Sequence, residues 1–145
     1  MQTFLPYQDF IETAKCLDNK RLGKQRSEAK TILNILTGKS KFNKHGKITW
    51  INHPAVQMWR GYENSLRIYY NTIVKEWIRR GYQNNMELEI IDYHFDVQHP
   101  YWLGNKKFHD SHKSKLLEKD IKFYSKYGWD VKIELPYLWP TKEEL

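Results

Sequence analysis

The sequence predicts a mainly α fold: a compact, single-domain helical bundle with long irregular loops and an extended aromatic C-terminal tail. Three observations predict it. Apolar residues recur at steps of three and four in several separate stretches, the period of a helix with one buried face. Strand-like alternation is almost absent, with only residues 87–91 hinting at a short strand. The 145 residues match one domain of ordinary size. Such a domain can bury about two-thirds of its unfolded surface without a disulfide or metal staple.

The first helix is expected to start at Asp9, since Asp9 and Glu12 have the spacing of a capping box. It would turn Phe10, Ala14 and Leu17 inward. After a pause at Asp18 and Asn19, a second helix runs over 20–36 with Ala29, Ile32, Leu33 and Leu36 on one face, and Thr37-Gly38 stops it. Residues 38–50 form a basic loop carrying Lys39, Lys41, Lys44 and Lys47, read either as a phosphate-contacting arm or as a solvated connector. One long third helix follows. Asn52 or His53 caps it, Pro54 suits its first turn, and Gly81 ends it. Its stripe of Trp59, Tyr62, Leu66, Tyr69, Ile73 and Trp77 is core. Residues 83–104 read as irregular chain, a last helix spans 106–127 up to Gly128, and the tail from Trp129 is extended and aromatic. Trp129 and Trp139 there either cap the core or stack on a distorted base step.

Composition narrows the function. Twenty-four Lys and Arg against 17 Asp and Glu leave a net charge of +7, which favours an acidic partner, nucleic acid first among them. The many aromatic rings suit a packed core and also base stacking. Cys16 is the single cysteine, so no internal disulfide forms. The start lacks a basic, apolar secretory pattern, and no stretch approaches the ~18 apolar residues of a membrane span. An intracellular, cytoplasmic monomer is the expectation.

Two constellations carry possible chemistry. Arg21, Lys24 and Glu28 fall at helical steps and share a polar stripe beside the apolar face. A carboxylate among cations stays ionised and can stabilise positive charge or take a proton. The same spacing also describes an ordinary surface ion pair. Asp92, His94, Asp96 and His99, with His109 and His112, are chemically suitable metal ligands, but their spacing is not that of a specific metal motif. Hydrogen-bonding loop histidines are the expectation, with no metal. Walker, Rossmann and nucleophile-elbow patterns are missing.

The order of these pieces carries a resemblance. The segment LDNKRLGKQRSEA, residues 17–29, resembles the stretch of endonuclease V-type pyrimidine-dimer DNA glycosylases that holds the catalytic glutamate, with Arg21-Leu22 seven residues ahead of Glu28. Residues 53–82 resemble that family's long central helix, and HDSHKSKLLEKDIKFYSKYGW, residues 109–129, its last helix and aromatic turn. The opening MQTFLP is similar to the start of a bacterial and viral branch of the family.

The resemblance implies a helical enzyme that acts on damaged duplex DNA without metal or organic cofactor. In the family an N-terminal α-amine attacks deoxyribose C1′, forms a Schiff base and, by elimination, cuts the strand. Carried onto this chain, Met1 supplies the amine, retained because Gln2 is bulky, and Glu28 the assisting carboxylate. Arg21, Lys24, Arg26, Lys115, Lys119 and Trp129 would contact DNA. Two other readings stay open. One is a related enzyme acting on a different modified base. The other is a non-catalytic nucleic-acid-binding module.

Overall fold

Asp9 starts the first helix as its spacing predicts: Oδ1 accepts from the backbone N–H of Ile11 at 2.7 Å and of Glu12 at 3.1 Å. The computed structural model describes residues 1–42, 44–92 and 97–140. Among them the order is α1 (Phe10–Cys16), α2 (Asn19–Leu36), α3 (Pro54–Gln57), α4 (Glu63–Arg79), α5 (Lys106–Lys119) and α6 (Ile121–Tyr124), then a single 3-10 turn, Ser125–Tyr127. The fold is helical and compact, as the periodicity predicts, and the described residues contain no strand.

Helix α2 packs against α4, and α1 packs against α4 as well. Leu22, Ala29, Ile32, Leu33 and Ile35 of α2 are buried, while Leu36 is only partly so. From α4, Leu66, Tyr69, Tyr70, Ile73 and Val74 complete the core. Burying five such side chains is worth roughly 1.5–3 kcal/mol each. Near the end of α4, the buried Glu76 carboxylate accepts from Arg79 Nε at 2.6 Å and Arg80 Nε at 2.9 Å. Arg80 also donates to the carbonyls of Ala14 and Lys15, satisfying the C-terminal end of α1. Those guanidinium bonds, outweighing burial, hold the Glu76 carboxyl below the usual carboxylate range.

The single helix expected over 53–80 is in fact two. Gly61 sits at φ +86°, a conformation favoured by glycine, and its N–H bonds Glu63 Oε1 at 3.1 Å. The apolar stripe survives the break in part: Trp59, Leu66, Tyr69 and Ile73 are buried, whereas Tyr62 and Trp77 are partly exposed. The last helix is likewise shorter than predicted. It ends at Lys119, and the Asp120 side chain caps α6 through Phe123 N–H at 3.2 Å. Around residues 87–91 the Asn71 side chain takes the place of a partner strand, bonding both Glu89 N–H (2.8 Å) and Glu89 C=O (2.9 Å).

Two segments without regular structure position the functional region. Residues 2–6 are buried although they belong to no helix. Helix side chains pair with the backbone polar groups of Gln2, Phe4 and Leu5, as burial requires. The tail runs beside α5, held by Leu135 N–H on Ser114 Oγ and Leu138 N–H on Ser111 Oγ. Among the described residues no helix is long and apolar enough to cross a membrane.

Candidate active site

Helix α2 buries Leu22, Gln25 and Ala29, and this turns the adjoining stripe of Arg21, Lys24 and Glu28 toward the N-terminal segment. Between them lies a cleft of about 340 Å³ lined by Met1, Gln2, Lys20, Lys24, Gln25, Glu28, Lys119 and Tyr137, with Arg21 and Phe4 completing its wall. The side chain of Glu28 is 17 % exposed. Its Oε2 accepts from the backbone N–H of Gln2 and from Gln25 Nε2, both at 3.2 Å, while Lys24 Nζ stands 3.9 Å from Oε1. The first peptide of the chain is thereby tied to the carboxylate.

The tie is reinforced along the segment. Gln25 Nε2 also donates to Gln2 C=O at 3.2 Å, and Gln25 Oε1 accepts from Phe4 N–H at 3.0 Å and from the Tyr69 hydroxyl at 2.9 Å. Tyr69 O–H reaches Phe4 C=O at 2.8 Å, and Trp59 Nε1 donates to Thr3 Oγ1 at 3.0 Å. Leu5 is gripped by two histidines. Its N–H donates to His112 Nδ1 at 2.9 Å, and its carbonyl lies 2.7 Å from His109 Nδ1. Gly104 N–H occupies His109 Nε2 at 2.9 Å, so Nδ1 is the protonated nitrogen that donates to Leu5. Burial pushes the His112 imidazole down to about 3 and also lowers His109.

His53 borders the same region. Its Nδ1 accepts from Ala55 N–H at 3.0 Å, which caps α3. Burial lowers its pKa first, the positive N-terminus lowers it further, and Glu28 opposes them. Trp139 of the tail meets the ring edge-on, with centroids 5.7 Å apart. Tyr137 closes the cleft from the tail, and burial drives its hydroxyl pKa far up, so it stays neutral. The Gln2 side-chain carbonyl is buried without a protein hydrogen-bond partner.

The residues that the sequence singles out therefore divide. Met1, Arg21, Lys24, Glu28 and Lys119 meet at the cleft. Arg21 also bonds Asp18 at 3.1 Å. Arg26 does not line it: its guanidinium lies 4.3 Å over the Trp77 ring, and Nη1 donates to Asn84 at 2.7 Å. Lys115 pairs with Glu118 at 3.1 Å and stands 5.4 Å from the Tyr137 ring, one residue removed from the cleft. Trp129 is stacked on Tyr124 and Tyr127 and donates to the Tyr7 hydroxyl at 2.8 Å. Of the metal-type residues, His109 and His112 hold Leu5, and His99 bonds Ser65 at 3.0 Å. His94 and Asp96 lie outside the described residues. Among the described residues no three His, Cys, Asp or Glu side chains converge.

The sequence reading missed Gln2, Lys20, Gln25, His53 and Tyr137. Gln25 alone left a signal, a polar residue between Leu22 and Ala29 on an apolar stripe.

Met1 and Glu28, together with Lys20, Arg21, Lys24 and Lys119, line a cleft suited to a polyanionic substrate. The family model described as pyrimidine dimer DNA glycosylase matches residues 1–90, and this chain belongs to that family. It is a DNA repair glycosylase by membership, and DNA is its substrate. The match covers the N-terminal segment, α1 to α4 and the cleft's α2 wall. No curated protein and no solved structure matches the chain.

Proposed function

We propose that the chain excises bases at pyrimidine dimers or related lesions in duplex DNA and cleaves the resulting abasic site, with the Met1 α-amine as nucleophile and Glu28 as its assisting carboxylate. The observation that carries this reading is the 3.2 Å bond from Gln2 N–H to Glu28 Oε2, which holds the first residue beside the carboxylate. An α-amine, with a reference pKa of about 7.7–8.0, has far more free base at neutral pH than a lysine at about 10.4.

The amine nitrogen bonds to C1′ as the glycosidic bond breaks, and the departing base keeps the bonding pair and takes up a proton. Ring opening gives an iminium. Loss of a proton from C2′ expels the 3′ phosphate, and water then releases the sugar and restores the amine. Glu28 stabilises the cationic sugar and carries the proton. Lys20, Arg21, Lys24 and Lys119 hold phosphates around it, and neither metal nor organic cofactor has a part.

Borohydride trapping on abasic and ultraviolet-irradiated DNA tests the chemistry. A covalent complex is expected, with sugar on the Met1 peptide, and N-terminal acetylation should abolish it while sparing binding. Glu28→Gln should keep fold and affinity but lose turnover by several orders of magnitude. Sugar mapped to a lysine would overturn the Met1 assignment; no trapping on either DNA would overturn the Schiff base.

Phosphate contact has its own readout. Affinity for duplex should fall steeply with salt, and Lys119→Ala should flatten the log–log slope by about one phosphate equivalent. An unchanged slope would remove Lys119 from the interface.

A further inference from the structure

Asp18 stands at the N-cap of α2, yet its side chain accepts from none of the helix N–H groups. An aspartate at that position ordinarily accepts from the N–H groups of the first turn. The turn itself holds no acidic residue and carries Lys20 and Arg21, cations at the helix end that disfavours them. The start of α2 thus forgoes two ordinary sources of helix stability. Both oxygens of the Asp18 carboxylate are engaged elsewhere: Oδ1 accepts from the Tyr124 hydroxyl and Oδ2 from Arg21 Nη1 at 3.1 Å. The Asp18 N–H completes the arrangement by donating to the Tyr124 hydroxyl oxygen at 3.0 Å.

Little in this arrangement is free to move. The Asp18 and Arg21 side chains are 12 % and 17 % exposed, and Tyr124 is fully buried. Burial, and then the bond to Asp18, push the Tyr124 pKa up, so its hydroxyl stays a donor. The Tyr124 ring stacks on Trp129 with centroids 5.7 Å apart, and Trp129 is itself fixed by its bond to the Tyr7 hydroxyl. Contacts therefore run from the aromatic turn of the tail through Tyr124 and Asp18 to Arg21 at the cleft wall. A guanidinium has five N–H donors, and the bond to Asp18 uses one of them.

We infer that Asp18 and Tyr124 are positioning residues, which hold the Arg21 guanidinium in the orientation that meets a DNA phosphate at the cleft. The inference rests on the reading that Arg21 contacts phosphate, and adds what fixes it there. A free arginine side chain must be ordered when DNA arrives, whereas this one is ordered beforehand. Charge alone makes the opposite prediction. A carboxylate next to a cleft cation repels phosphate, so its removal should tighten binding. The two effects differ in sign.

The test measures the affinity of the full chain for a duplex carrying one reduced, uncleavable abasic site. Asp18→Asn keeps the shape but offers a single acceptor, which cannot hold both the hydroxyl and the guanidinium. Although it removes a negative charge, it should weaken binding roughly two- to tenfold, the cost of ordering one long side chain. Tyr124→Phe, which keeps the ring stack, should weaken binding in the same direction. In an Arg21→Ala chain, itself weaker than wild type, Asp18→Asn should leave affinity unchanged or raise it, because no arm remains to be held. A merely structural role would lower affinity equally in both backgrounds. That outcome would overturn the inference, as would tighter binding by the Asp18→Asn chain. Wild-type affinity in Tyr124→Phe would remove Tyr124 from the positioning pair. Wild-type affinity in Arg21→Ala would overturn the phosphate contact and the positioning with it. None of these titrations needs excision, so a failure to cleave irradiated DNA would overturn the proposed chemistry and leave the Arg21 result standing.

Discussion

Gln25 links stability to chemistry within one side chain. It is 1 % exposed, and its amide makes four bonds: two to the backbone of residues 2–4, one to Tyr69 and one to Glu28. Gln25→Leu keeps the volume but leaves Phe4 N–H and Gln2 C=O without partners and removes a donor from Glu28. Each buried group stranded in this way costs about 1–3 kcal/mol. We expect a loss of about 3 kcal/mol in chemical denaturation and a fall in trapping efficiency beyond the loss of folded protein. Wild-type stability would mean that the segment is held elsewhere. The stripe Arg21, Lys24 and Glu28 was legible from the sequence because helical spacing is local. Gln2 and Tyr137 were not, because the buried N-terminal segment and the tail bring them in, and their paths leave no periodic mark; His53 showed in the sequence only as a helix cap.

At the scale of elements, the helices were legible where an apolar face met a cap, as at Asp9. The breaks were not. Gly61 and Asp120 interrupt stretches whose side-chain periodicity continues through them, so counting apolar residues runs past the ends. Helix contact also overrides propensity at Gly23. Alanine ordinarily stabilises a helix interior by about 1 kcal/mol over glycine. A Cβ at Gly23, however, would lie 2.9 Å from Trp77 Cζ3. That ring is not free to yield, since Tyr82 stacks on it at 4.4 Å and Arg26 lies over it at 4.3 Å. Gly23→Ala should therefore lower stability by about 1–3 kcal/mol, the usual cost of overpacking. A raised melting temperature would show that α2 and α4 can part enough to admit the methyl group.

For the whole molecule, the buried N-terminal segment joins α2, α4 and α5 to the cleft, and this makes global stability sensitive to acid. His112 is buried and holds Leu5 N–H through an unprotonated Nδ1, with its pKa pushed from 6.5 down to about 3. His109 is also lowered by burial, although its bond to the Leu5 carbonyl opposes this; Lys113 lowers it and Asp110 raises it. In the unfolded chain both imidazoles take protons near their ordinary pKa. Between about 6.5 and 3 the unfolded state thus binds more protons than the folded one, and stability falls as pH falls. For His112 alone, acidification from pH 7 to pH 5 should cost about 2 kcal/mol. His112→Asn offers Leu5 an acceptor that does not titrate in this range. Its stability at pH 7 should be lower, because an amide fills the imidazole's space poorly, but its decline from pH 7 to pH 5 should be visibly shallower than that of wild type. Denaturant midpoints across that range, converted with a common slope, make the comparison. Parallel declines in the two proteins would show that the grip on Leu5 does not carry the acid sensitivity.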